Sequence, residues 1–351
     1  MKKALALILT LSLTAALLAG CGGGETSSSG ETGQPSSSAD GTYSISIAHS
    51  TAEDTTDQAF ALAFKEYVET NSGGAITVNV YPNAQLGSDR EVVEAVQNNE
   101  ITMTATANAV QANFVPDAFI LDIPFTFTTM DAVRYTMEDE GFLEAMGAAY
   151  DAANLRLMGY TCTGFRVLSC NKPVHTPDDV KGMTIRTMEN EYHMAAWKAI
   201  GANPTPLAFS ELYTALQQGT VDAQENPIEL IVTQKFYEQQ DYVVETNHLG
   251  QFIPWVMSKT FYDSLPAELQ TVVDEGIQVG RQAAFDHIES TNDANRQVVI
   301  DSGTEIITLT DEELAAFAER TAPVNDMIKE AVSQTIYDAY MASCEAYKAA
   351  Q

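Results

Sequence analysis

Cations are scarce in this chain: its 351 residues carry 18 Lys and Arg against 48 Asp and Glu, a formal charge of −30. So large an acidic excess repels phosphate backbones and anionic headgroups, which disfavours nucleic acid and membrane surfaces as bulk partners. Cysteine is rarer still, with four residues at positions 21, 162, 170 and 344. Setting Cys21 aside leaves three, so at least one is unpaired in the monomer expected here. Cys162 and Cys170 flank a strand-like segment. Their spacing along it exceeds by far the roughly 4.4–6.8 Å Cα separation of a disulfide, and free thiols are expected. The chain has no CxxC or Cys/His metal spacing, and its five histidines never bracket a glutamate at i, i+4. Neither a metal nor another cofactor is expected. G-x-S-x-G and HExxH are also missing, as is any evident pair of nucleophile and base. These absences argue against an exported lyase or hydrolase.

What is present is the composition of a globular protein, 45% hydrophobic and 19% charged, rather than that of an acidic disordered tail. Chains of roughly 300 residues usually divide into two domains. The amino terminus takes no part in this division. Lys2 and Lys3 precede an apolar stretch from Ala4 to Leu18, too short to span a bilayer comfortably and ending in Leu18-Ala19-Gly20-Cys21. It reads as an export signal over 1–20 whose end resembles the bacterial lipobox, with Cys21 as the lipidated residue. Removing Lys2 and Lys3 from a net charge of −30 gives −32. Residues 22–42 are rich in Gly, Ser and Thr and have almost nothing apolar to bury. Residues 21–42 are therefore expected to form a lipidated cysteine and flexible tether that hold the body at the outer face of the cytoplasmic membrane.

The body opens with alternating strand and helix signals. Tyr43 to Ala48 alternates, Phe60, Phe64 and Val68 recur at helical spacing, and Ile76, Val78 and Val80 alternate again. Ser88 precedes a helix with Val92, Val93 and Val96 inward, and a short strand follows from Ile101 to Thr106. This βαβαβ order predicts a largely parallel α/β sheet, with ligands bound outside the carboxyl ends of its strands. His49, Ala107 and Asn108 would lie at that edge. A second α/β unit begins near Gly164: a strand from Met183 to Met188, a helix from Glu191 to Ile200 stopped by Gly201, a helix to Gln218, and a Gln224–Pro227 corner. His175 and His193 read as surface or loop residues, and Trp197 as core. Trp255, after Pro254, is a candidate for the cleft wall, with core as the alternative.

The few cations are clustered. Arg156, Arg166, Lys172, Lys181 and Arg186 share a window with only Asp178 and Asp179. A local positive excess suits an acid ligand, since a planar guanidinium can take both carboxylate oxygens. Arg156, Lys172 and Lys181 read as solvated surface charges. Arg186, in the middle of the strand Thr184-Ile185-Arg186-Thr187, must reach water, a partner or a ligand.

The stretch from Gly164 to His248 contains Gly164-Phe165-Arg166, the run from Asn171 to Arg186, the run from Gly201 to Pro227, Lys235 to Gln240, and Thr246-Asn247-His248. With Tyr81 to Glu91, Ile123 to Phe125 and Asp263 to Pro266, these motifs resemble the solute-binding proteins of tripartite ATP-independent periplasmic (TRAP) transporters, of the C4-dicarboxylate-binding type. The resemblance covers most of the chain after residue 43. It implies a bilobal α/β fold of the periplasmic-binding-protein kind, with a ligand cleft, a helix from Pro266 to about Ser302 spanning both lobes, and hinge closure. On this reading lobe I is 43–163 plus 252–291, and lobe II is 164–251 plus 292–351. The resemblance makes Arg186 the main salt bridge to a ligand carboxylate and Arg166 its helper. Asn226 would bond the same carboxylate region, and Phe209 would pack on the ligand body. His49, Ala107 and Asn108 are the first-lobe contacts. Some members have a carboxylate in the loop of Ala107 and Asn108; its absence here disfavours a sialic-acid-like ligand. The implied function is capture of a small carboxylic acid, a C4-dicarboxylate or related acid, for delivery to the small and large TRAP membrane subunits. A uronate or other sugar acid, a sensor-type binding protein and an exported sugar-acid enzyme are the alternatives. Val324, Ile328, Val332, Ile336 and Tyr340 recur along a predicted terminal helix, a stripe that reads as core before it reads as a docking face.

Overall fold

The computed structural model describes residues 42–350, so the leader, Cys21 and all but the last residue of the tether lie outside the described residues. Strand β1 (Tyr43–His49) turns Ile45 and Ile47 into the core and pairs in parallel with β2 (Ile76–Tyr81) and β3 (Met103–Ala105). The crossovers are α1 (Thr56–Asn71), with Phe60, Phe64 and Val68 inward, and α2 (Asp89–Gln97), with Val92, Val93 and Val96 inward. Glu91 reaches back to the Ser88 backbone N–H at 2.8 Å, which fixes the start of α2. Three helices follow, α3 (Asn108–Gln111), α4 (Met130–Glu138) and α5 (Glu140–Ala152).

The second α/β unit is entered through β4 (Leu155–Cys170). It contains β5 (Thr184–Thr187), α6 (Glu191–Ile200), β6 (Asn203–Pro206), α7 (Leu212–Gln217), β7 (Ala223–Asn226) and α8 (Ile228–Thr233). Gly201 ends α6 at φ 106°, a conformation open to glycine at no steric cost. The chain returns along β8 (Tyr242–Ser258) and continues through α9 (Lys259–Ser264), α10 (Ala267–Asp301), β9 (Glu305–Thr308), α11 (Asp311–Ala331) and α12 (Gln334–Ala349).

The nine strands of the described residues form one mixed sheet in the order β2-β1-β3-β8-β4-β7-β5-β6, with β9 alongside β8. The outer parts, β2-β1-β3 and β7-β5-β6, are parallel within themselves, and the antiparallel pair β4/β8 joins them. Register along that pair breaks between Cys162 and Phe165, where Gly164 sits at φ 114°. The register also shifts between Leu157 and Gly159 and between Arg166 and Leu168, irregularities of the kind that raise local twist. The 35-residue α10 runs about 50 Å. It crosses α1 at Gly276 and Gly280, where an added Cβ would come within 2.7 Å of Val68 and 2.9 Å of Phe60.

The sequence reading needs three corrections. Gln224-Glu225-Asn226 is strand β7, not a corner. The tail is two helices, because the chain turns extended at Val332 and Ser333 recaps it through Ile336 N–H. Assigned with lobe II, α12 packs instead on α4 and α5 of the first unit. The Val324–Tyr340 stripe is buried throughout, hence core. Cys162, Cys170 and Cys344 are buried free thiols. Among the described residues no helix is long and apolar enough to cross a membrane.

Candidate functional site

A cavity lies where the carboxyl ends of β1, β3 and β5 meet the starts of α1 and α2. Strand alternation decides which side chain reaches it: Ile185 faces the core of the second unit, so Arg186 faces the cavity. Arg186 is 1% exposed. Its Nε and Nη2 both donate to the Leu207 carbonyl oxygen, at 3.0 and 2.7 Å, and Nη1 has no partner among the described residues. Burial, followed by the positive charge of Arg166, lowers its pKa to about 10. A guanidinium that is desolvated yet lacks an anion is arranged to receive one.

The predicted residues divide. Arg186, Phe209, Asn226 and Ala107 all line the cavity. The Phe209 ring lies 6.0 Å from the Arg186 guanidinium, and Asn226 is steadied by its Nδ2 donating to Gln224 Oε1 at 2.5 Å. Arg166 stands outside the lining. It is committed to Glu225 through Nε and Nη2 and to Gln251 through Nη1. His49 stands outside the lining, with Nδ1 against Thr51 Oγ1 at 2.9 Å and Nε2 against Gln58 Oε1 at 2.8 Å. Burial lowers its pKa. Asn108 turns back to the Ala118 carbonyl at 2.9 Å. Trp255 is fully buried, stacked on Phe60 with ring centroids 3.5 Å apart and donating to Thr161, so it is core. His193, read as a surface residue, is 3% exposed and lies against Asp122 at 3.3 Å. Trp197 is core as expected.

Sequence reasoning missed the acids. Glu225 is wholly buried; burial pushes its carboxyl up, but Arg166 and His248, at 3.0 Å, reverse this and hold it well below the usual range. Asp57 and Asp89, on the first turns of α1 and α2, line the cavity with Thr163 and Gln251. The signal for both acids was topological, since each opens the helix that follows a strand whose carboxyl end lies at the site. Glu229 of α8 accepts from the Thr56 N–H at 3.0 Å and hydroxyl at 2.6 Å, tying the two lobes together. Arg90 and Glu189 make a second tie at 3.0 Å.

A mixed sheet of two parallel parts joined by an antiparallel pair, with a cavity at their junction, defines a bilobal α/β solute-binding architecture. The chain belongs to family 7 of the bacterial extracellular solute-binding proteins, whose family model matches residues 47–331. A solute-binding protein of Verminephrobacter eiseniae is 36% identical, over 79% of this chain and 82% of that one. The C4-dicarboxylate-binding periplasmic protein DctP of Rhodobacter capsulatus is 33% identical over 86% of this chain and 91% of its own. Among solved structures, a TRAP periplasmic solute-binding protein of Shewanella oneidensis with bound succinate superposes with a TM-score of 0.82. It is 29% identical and covers 86% of this chain and 99% of that one. The family is one of solute-binding transport proteins rather than enzymes.

Proposed function

We propose that this chain is the lipid-anchored extracytoplasmic receptor of a TRAP transporter, capturing a small carboxylic acid for delivery to the membrane subunits. Cys21 would carry the lipid, and the tether would leave the body free to reach its permease. The observation that carries the ligand reading is the buried Arg186 guanidinium, whose Nη1 is unpartnered at the cavity wall. It would pair with the carboxylate, Asn226 would bond the same end, and Phe209 would cover the ligand body. Arg166 supports the site from behind, its charge already met by Glu225. The lobes, 43–163 plus 252–291 and 164–251 plus most of the tail, would rock about the register break near Gly164. That a relative is named for C4-dicarboxylates and a structural neighbour holds succinate favours an organic acid over a larger ligand. Arg186→Met tests the reading: thermal stabilisation by carboxylates should vanish from a folded variant, and a full response in that variant would refute it.

A further inference from the structure

We infer that Asp57 and Asp89 form an acceptor wall on the first-lobe side of the cavity. This wall selects carboxylates that bear N–H or O–H donors at their far end over those that bear a second carboxylate. The inference rests on the reading that Arg186 takes the first carboxylate. Asp57 is 2% exposed; its Oδ2 accepts from Thr51 Oγ1 at 3.0 Å, while its Oδ1 is sealed from solvent with no partner among the described residues. Asp89 is half-buried; its Oδ1 is likewise sealed and without a partner among the described residues, while the Ser50 side chain bonds its carboxyl group and the Arg186 charge acts on it. Both residues line the cavity. Two buried carboxylate oxygens without donors form a deficit that a ligand's ammonium or hydroxyl groups would meet.

A second carboxylate has no counterpart here. The first turns of α1 and α2, whose free N–H groups could hold an anion, carry Asp57 and Asp89 instead. Besides Arg186, Arg90 is the other cation in the lining, and it is held by Glu189 at 3.0 Å and Glu94 at 3.7 Å. Once Arg186 is matched by a carboxylate, the remaining charge at the cavity is negative. Burial raises Asp57 to about 6 against its bond from Thr51, and raises Asp89 above the ordinary range against its bond from Ser50 and the charge of Arg186.

The test is calorimetric titration of the purified protein with three four-carbon acids: butanedioate, 4-aminobutanoate and 2,3,4-trihydroxybutanoate. Each is run against the parent, Asp57→Asn and Asp89→Asn. At least one donor-bearing acid should bind the parent tenfold or more tightly than butanedioate, and which of the two does so separates ammonium from hydroxyl recognition. Each Asn variant should weaken that acid at least tenfold and narrow its advantage over butanedioate. Butanedioate binding the parent as tightly as both donor acids would overturn the inference and leave the carboxylate reading intact. An unchanged ranking in both variants, folded by circular dichroism, would also overturn it. Failure of all three acids to bind would overturn the carboxylate reading and the inference together.

Discussion

Replacing Arg186 with methionine should leave a ligand-free protein at least as stable as the parent while removing its response to ligand. In the folded protein the Arg186 pKa falls from 12.5 to about 10 because burial and the charge of Arg166 outweigh the opposing charges of Glu225, Asp89 and Glu189. At 1.36 kcal/mol per pH unit this corresponds to roughly 3 kcal/mol of destabilisation carried by the charged side chain. Methionine occupies much of the same stem and carries no charge, so it relieves that cost without opening a large cavity. Against this stands the loss of the two bonds to the Leu207 carbonyl, worth roughly 1–2 kcal/mol. The net expectation is a gain of roughly 1–2 kcal/mol, or a melting point a few degrees higher. Binding should move the other way, because truncating one partner of a buried charge pair costs roughly 2–5 kcal/mol, about thirty- to several-thousand-fold in affinity. Differential scanning calorimetry with and without a saturating carboxylate measures both quantities. A variant that melts well below the parent, yet still gains the parent's stabilisation from ligand, would refute both the burial argument and the binding role.

Three further perturbations probe the surrounding framework. Glu225→Gln should destabilise by roughly 3–5 kcal/mol in denaturant unfolding, since Arg166 would be left buried without its counter-charge; a loss below about 1 kcal/mol would contradict the pairing described. Glu229 is raised to about 7 by burial, so the folded state holds a proton that the unfolded state releases near 4.5. Its contribution is therefore greatest below pH 4.5 and declines as pH rises through 7, by roughly 3 kcal/mol in all. Relative to Glu229→Gln, the parent should lose stability across that window, and a flat or rising difference would reverse the sign argued. Burial pushes Cys162 up to about 12 and Cys170 up to about 11. A thiol reagent at pH 8 should thus label the native body slowly and three cysteines of the described residues rapidly in denaturant; resistance under denaturing, non-reducing conditions would mean that they are paired.

The elements legible in the sequence were those set by local rules. The β1-α1-β2-α2-β3 order followed from apolar periodicity, and α6 and its end at Gly201 from a helical pattern stopped by glycine. Arg186 was legible because a charge in mid-strand between Ile185 and Thr187 demands a reason. Two kinds of feature were not legible. The first depends on long-range pairing: that Arg166 and Glu225 share a buried ion pair follows only once β4 and β7 lie side by side. The second depends on which core receives each element, so Trp255 went to a core with Phe60 and α12 to the first unit.

Counting charges along the chain therefore misled in a specific way. The window from Arg156 to Arg186 is positive in one dimension, but folding disperses it: Arg166 goes to Glu225, Arg156 reaches Asp151 at 3.7 Å and lies over the Tyr262 ring, and the remaining lysines stay outside the cavity. The cavity draws instead on Asp57 and Asp89, which lie 129 and 97 residues before Arg186 in sequence. Arg186 is the positive pole of the site because it is the guanidinium there left unmatched, and the Arg166–Glu225 pair beside it is close to neutral as a unit. That pair lets Arg186 remain charged without capturing it: Arg166 pushes its pKa down while Glu225 pulls it up. Exchanging either member would change the electrostatics of Arg186 with no change in the residues that line the cavity. The cavity thus holds one guanidinium nitrogen and two carboxylate oxygens without partners among the described residues, and under the proposed reading a single small molecule would meet them on closure.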